Sequence, residues 1–170
     1  MSRPLPNQTA PVLSLPTLNG KTWTLSEQTS PFTLIVFYRG DHCPICRVYL
    51  RDLAKTQEKF QERNIGVIAV SSNSEKLARK SQTEWQLDNL MIGHSLSLET
   101  ARNWGLYISN AIKESEPAQF SEPGLALIRG DGTLYATVTQ TMPFTRPRFD
   151  EILGAIDFIT ANNYPARGDA

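Results

Sequence analysis

Cysteine is nearly absent, with Cys43 and Cys46 alone among 170 residues. Two cysteines cannot build a stabilising disulfide framework, and a reducing cytosol would keep a merely structural pair open, so a pair that oxidises does so as part of its work. Histidine is as scarce, with only His42 and His94. Without a third cysteine, a closed tetrahedral zinc site lacks obvious ligands, and neither metal nor cofactor is expected. Net charge is absent too: 17 basic residues balance 17 acidic ones, which removes the global field that attracts nucleic acid, anionic membrane or acidic substrates. Long apolar runs are missing. The longest, such as Leu34 to Tyr38 and Gly124 to Ile128, are strand-sized and far below the roughly 20 residues of a membrane span. The opening "MSRPLPNQTAPVLSLP" has no continuous apolar stretch, so it does not read as a secretory signal and the expected compartment is the cytoplasm.

What is present suffices for one domain over 1–170, since a chain of this length buries a core without staples. The ordered core is expected over about 10–163, between a Pro-rich start and the polar tail "NNYPARGDA", with both ends loosely held. "VLSLPTLNGKTWTL" alternates around Asn19-Gly20, a dipeptide suited to a type I′ turn, and predicts an N-terminal hairpin. Thr33 to Arg39 is β-branched and aromatic on both faces, the pattern of an interior strand covered by helices. Gly40 breaks it. A helix follows over about Pro44 to Phe60, with Cys46, Tyr49, Leu50, Leu53, Ala54 and Phe60 in its apolar stripe and Pro44 in its first turn. Ile65 to Ser72 reads as a second buried strand, and Ser74 and Glu75 open a helix through about Trp85. "LMIG" is a further strand, and Ser97 to Trp104 a short helix ended by Gly105. "GLALIRGDGTLYATV" gives two antiparallel strands joined at Gly130-Asp131-Gly132. A last helix spans about Pro147 to Asn162. The order predicts an α/β fold with a mixed central β-sheet flanked by helices and an N-terminal β-hairpin extension.

Both cysteines sit where the first central strand turns into a helix. Cys43 falls at the N-cap or just before the first turn, and Cys46 one turn inside. A thiolate there faces unpaired backbone N–H groups and the positive end of the helix dipole, which lowers its pKa below the free value of about 8.5. Residues at i and i+3 face each other, so Cys46 can attack a mixed disulfide on Cys43 and release the partner reduced. Cys43 is expected to be the exposed thiol. Arg39 and His42 lie close by and would favour the thiolate further if they point inward. Two inert core cysteines are the alternative, but C-x-x-C after a buried strand and at the start of a helix is the setting of a redox motif. Elsewhere, Trp23, Trp85 and Trp104 are assigned to packing, His94 to structure and Asp41 to a turn. Arg146 and Arg148 are expected to be solvent-exposed.

"FYRGDHCPICRVYLRDL" resembles the segment FYRGxWCPxC of the peroxiredoxin-like branch of the thioredoxin superfamily, the alkyl hydroperoxide reductase and thiol-specific antioxidant (AhpC/TSA) group. The early "PVLSLPTLNGKTWTLSE" is similar to that group's N-terminal extension, and "SEPGLALIRGDGTLYATVTQTMPFTRPRFDEILGAIDF" to its last strand pair and helix. The resemblance implies a thioredoxin-like fold and thiol redox chemistry. Two departures matter. The peroxiredoxin pattern P-x-x-x-T-x-x-C aligns its Cys with Cys46, but its Thr with Cys43 and its Pro with Arg39. Its activating Arg, at the start of the penultimate strand, aligns with Pro123. Thioredoxins carry a cis-proline beside their C-x-x-C, and the resemblance implies a cis Glu122-Pro123 bond against the dithiol, with the Glu122 backbone free to pair with an extended substrate.

The leading expectation is therefore a thioredoxin-like oxidoreductase, with Cys43 as nucleophile, Cys46 as resolving thiol, and Arg39, His42, Pro44, Glu122 and Pro123 shaping the site. The alternative is a thiol-dependent peroxidase acting on hydrogen or alkyl peroxides. In it, Cys46 becomes a sulfenic acid resolved by Cys43, and Arg39, Arg129, Arg146 or Arg148 replaces the missing Arg. A redox-responsive binding module without turnover is the third. The expected partners are a disulfide or peroxide substrate and a thiol electron donor of the thioredoxin, glutaredoxin or glutathione type. Homodimer formation is left open.

Overall fold

The computed structural model describes residues 3–170. Two short strands, β1 (Ser14–Pro16) and β2 (Thr22–Thr24), pair antiparallel as the N-terminal hairpin. Its turn differs from expectation. Only Gly20 takes a positive φ, of 80°, so Thr17 to Lys21 form a longer loop, closed by Thr17 N donating to Lys21 O at 2.9 Å and by Asn19 Oδ1 accepting from Lys21 N at 2.9 Å. Asn19 does its work through its side chain rather than through a left-handed backbone.

The central sheet is built from β3 (Phe32–Phe37), β4 (Ile65–Val70), β5 (Ile92–Gly93), β8 (Gly124–Arg129) and β9 (Leu134–Thr139), in the order β5-β4-β3-β8-β9. β3 runs parallel to β4 and antiparallel to β8, so the sheet is mixed. Helices α1 (Pro44–Glu62), α2 (Glu75–Trp85), α3 (Leu98–Asn103) and α4 (Phe149–Asn162) complete the order. Ser74 and Ser97 cap α2 and α3 through their hydroxyls. Helix α4 starts two residues later than its apolar spacing suggests, because Arg148 is its extended N-cap and the Pro147 carbonyl is engaged by Tyr49 instead.

Alternation along the inner strands separates two cores. Leu34, Val36, Tyr38, Leu125 and Leu127 join Leu50, Leu53, Phe60, Phe149, Leu153 and the two cysteines on the face covered by α1 and α4. Ile35, Phe37, Ala126 and Ile128 join Leu13, Leu15, Ala101 and Trp104 on the other face, beneath the N-terminal hairpin and α3. This explains why β3 is apolar on both sides.

Strands β6 (Ile108–Asn110) and β7 (Gln119–Ser121) form a separate antiparallel ribbon absent from the sequence reading. Each is three residues long around a polar connection, too short to show alternation. The flanking segments are better held than expected. Asn7 N donates to Leu134 O at 2.8 Å, Asn7 Nδ2 to Asp169 Oδ2 at 2.6 Å, and Ala166 is buried. Among the described residues no helix is long and apolar enough to cross a membrane.

Candidate active site

The site is assembled at the junction of β3 and α1. Gly40 takes φ +140°, and a Cβ there would lie 2.7 Å from Asn73 Oδ1, so the turn requires glycine. Asp41 holds the next residue pair to α2, accepting from Lys80 Nζ at 2.8 Å and Ser81 Oγ at 2.9 Å. The chain then enters α1 with Cys43 extended at the N-cap (φ −103°, ψ 105°) and Pro44 in the first turn. Cys46 N donates to Cys43 Sγ at 3.2 Å. A cysteine thus takes the capping place usually filled by Ser, Thr or Asp.

Both cysteines are free and buried, with Cys43 1% and Cys46 0% exposed. The expected exposure of Cys43 is not found. It is enclosed by the same core that holds Cys46 and by Arg146, which arrives from the segment between β9 and α4. Arg146 Nη2 donates to Cys46 Sγ at 3.3 Å and to Cys43 Sγ at 3.8 Å. Nη2 also donates to Pro143 O, and the guanidinium carbon stands 5.2 Å from the centre of the Tyr49 ring. Arg146 Nε and Nη1 are buried without a hydrogen-bond partner. Arg146, expected in solvent, is therefore the cation of the site, while Arg148 does face solvent, paired with Asp150. A residue 100 positions away could be named only as one of four arginines; nothing in its local sequence sets it apart.

The two thiols are driven in opposite directions. A hydrogen bond from the Cys46 thiol, then the Cys46 N–H, then the Arg146 charge bring Cys43 down to about 5 against the opposing effect of burial. Burial first, and the neighbouring Cys43 second, push Cys46 well above the ordinary thiol range. Arg146 lies nearer Cys46, yet the negative charge settles on Cys43, because that sulfur collects three donors and the more enclosed Cys46 keeps its proton.

Arg39 and His42 do not reach the sulfurs. Arg39 turns to Glu122, Nε to Oε2 at 3.3 Å, and lies over the Phe120 ring at 4.7 Å. The His42 ring packs on the same Phe120 at 4.6 Å, and burial, then Arg39, lower its pKa, which weakens it as a cation beside the thiolate. Phe120 and Ser109, which donates to Glu122 Oε1 at 2.6 Å, come from the β6–β7 ribbon, so the ribbon collects the three side chains Arg39, His42 and Glu122.

The expectation for Glu122-Pro123 is corrected. Among the described residues no peptide bond is cis. Glu122 N already donates to Tyr107 O at 2.7 Å, and Pro123 O accepts from Gln140 N. The N–H that an extended substrate would pair with is therefore already donated within this chain. Pro123 instead lines a narrow crevice with Phe37, Tyr49, Arg146 and Pro147. Among the described residues no group of three or more His, Cys, Asp or Glu side chains is placed to hold a metal ion.

Comparison with known proteins agrees with this architecture. No curated protein sequence matches the chain. Among solved structures, the chain is similar to a peroxiredoxin-like protein from Aquifex aeolicus (TM-score 0.77, 12% identity, 94% of this chain and 90% of that one). It is also similar to Enterococcus faecalis AhpC (TM-score 0.76, 15% identity, 96% and 99%) and to peroxidoxin BcpB from Mycobacterium tuberculosis (TM-score 0.73, 16% identity, 92% and 99%). At these identities the likeness establishes the peroxiredoxin form of the thioredoxin-like fold. The model of the AhpC/TSA family matches residues 6–137, a span that runs from the N-terminal hairpin through the dithiol to β9, and the chain accordingly belongs to the AhpC/TSA family of thiol-dependent oxidoreductases.

Proposed function

We propose that this protein is a thiol peroxidase in which Cys43 attacks the peroxide and Cys46 resolves the product. The observation that carries the reading is Arg146, a guanidinium at both sulfurs with two further N–H-bearing nitrogens buried and unpartnered. Peroxide reduction needs a thiolate together with donors for the departing oxygen, and this side chain brings the donors to the thiolate. The burial of both sulfurs favours a small substrate over a protein disulfide, and the Glu122 N–H that a disulfide-bearing peptide would pair with is already donated to Tyr107 O.

The chemistry balances on the dithiol alone. The Cys43 thiolate attacks the terminal oxygen of ROOH, the O–O bond breaks, and the leaving alkoxide takes the Cys46 proton to become ROH. The products are Cys43 sulfenic acid and Cys46 thiolate. The latter attacks the Cys43 sulfur, forms the disulfide and expels hydroxide. The peroxide is reduced by two electrons and the dithiol oxidised by two. A thiol donor of the thioredoxin, glutaredoxin or glutathione type returns them, and a reducing compartment such as the cytoplasm suits the cycle.

A disulfide reductase remains the second reading, favoured by the low-pKa Cys43 facing a protonated Cys46. Stopped-flow oxidation of the reduced protein by hydrogen peroxide, an alkyl hydroperoxide and a small disulfide separates the two. Either peroxide is expected to react faster than the disulfide, and Arg146→Gln to slow the peroxide reactions by about 10²–10³-fold, the usual loss for one oxyanion donor. A disulfide that outruns both peroxides, with Arg146→Gln leaving the order unchanged, overturns the peroxidase reading.

A further inference from the structure

Arg146 belongs to a segment with no regular hydrogen-bond ladder, since residues 140–148 lie in neither strand nor helix. Its position therefore depends on side-chain clamps. One lies within the segment: Gln140 Nε2 donates to Met142 O and Thr145 O. The others converge on Tyr49, one turn beyond Cys46 on α1. The Tyr49 hydroxyl donates to Pro147 O at 2.6 Å, its ring stacks on Phe149 at 4.4 Å and 27°, and its face meets the Arg146 guanidinium at 5.2 Å. One side chain thus grips the residue after Arg146, the first residue of α4, and the charge itself. Beside it, an open groove of about 660 Å³ runs past Ile45, Val48, Tyr49 and Phe144 and reaches Arg146, so a guanidinium released from the ring has solvent-filled space to enter.

We propose that Tyr49 is the positioning residue for Arg146: by hydrogen bond, ring stack and cation–π contact it holds the guanidinium on the sulfurs of Cys43 and Cys46. This rests on Cys43 and Cys46 being the redox centre and on Arg146 serving it, but not on peroxide being the substrate. A packing role alone is the competing explanation, because Tyr49 also fills the seam between α1 and α4. The two differ in what they do to the thiolate. Loss of packing lowers stability and leaves the Cys43 charge where it is; loss of the clamp moves the cation and raises the pH at which Cys43 ionises.

The test is a pH titration of thiolate ultraviolet absorbance in the reduced protein, beside its urea midpoint. Arg146→Gln is expected to raise the thiolate midpoint by about 1–3 pH units, the effect of removing an opposite charge at contact distance. Tyr49→Leu, which removes all three contacts, is expected to raise it by at least half as much, and Tyr49→Phe, which keeps the stack and the ring face, by less. In an Arg146→Gln background both Tyr49 changes are expected to add nothing to the midpoint. An unchanged midpoint in Tyr49→Leu, or the same shift with and without Arg146, overturns the proposal. If Tyr49→Leu does not fold, the Tyr49→Phe shift and its disappearance without Arg146 decide alone. A wild-type protein that fails to reduce peroxide overturns the peroxidase reading and leaves these midpoints as they are.

Discussion

Cys43 and Cys46 have the same side chain and opposite acidities, and the difference comes from who donates to whom. Cys43 receives a backbone N–H and Arg146, while Cys46 is enclosed and supplies the proton. The reduced protein is thus expected to carry one thiolate at pH 7. Cys43→Ser removes that absorbance and Cys46→Ala retains it with a raised midpoint, because the side-chain donor to Cys43 is gone; two thiolates, or one that survives Cys43→Ser, would put the charge on Cys46. The sign for stability follows. Cys43 ionises near 5 in the folded chain against an ordinary 9.0, so this contribution is present above about pH 9 and declines as pH falls towards 5. Urea midpoints of the reduced protein should fall across that window more steeply than those of Cys43→Ser.

The strand-to-helix turn places these residues, and its tolerance is narrow. Gly40 packs against Asn73, whose Oδ1 also accepts from Asp41 N at 3.3 Å. Gly40→Ala brings a Cβ into that oxygen and forces an L side chain into a φ of +140°. The expected cost is about 1–3 kcal/mol, read as a lower denaturant midpoint, together with a higher thiolate midpoint because the N-cap shifts with the turn. An Ala variant as stable as wild type would show that the turn relaxes without strain. The starts of α1, α2 and α3 were legible because their signals are local: Pro44 in the first turn of α1, and the Ser74 and Ser97 hydroxyls on the backbone. The β6–β7 ribbon was not, because it is stabilised by what it meets, namely Phe120 under Arg39 and His42.

Across the whole molecule, the sheet separates two cores, and both cysteines lie in the larger one, under α1 and α4. Trp104 is 1% exposed in the core beneath the N-terminal hairpin, while both cysteines lie in the core on the opposite face. Trp104→Ala is expected to cost about 3–5 kcal/mol and to leave the thiolate midpoint of the folded protein unchanged. A midpoint that moves with Trp104 would mean that the sheet transmits strain between its faces rather than insulating them.

The mixed sheet, the helix opening at Pro44 and the C-x-x-C at its start were determined by the sequence itself, because periodicity, capping and turn chemistry act over a few residues. What stands over the dithiol was decided by the tertiary structure. Arg146 lies 100 positions from Cys46 and reaches it only because β9 and α4 bracket the segment beside α1. Arg39 is seven positions from Cys46 and turns away, since Glu122 and Phe120 offer it a buried carboxylate and an aromatic face. The Glu122-Pro123 bond is trans, the ordinary isomer of an X-Pro bond, and Glu122 N is held by Tyr107 O from a segment before the ribbon. Proximity along the chain places a side chain near a site; where its charge points depends on which partners the fold brings within a few ångströms, and those partners come from distant segments.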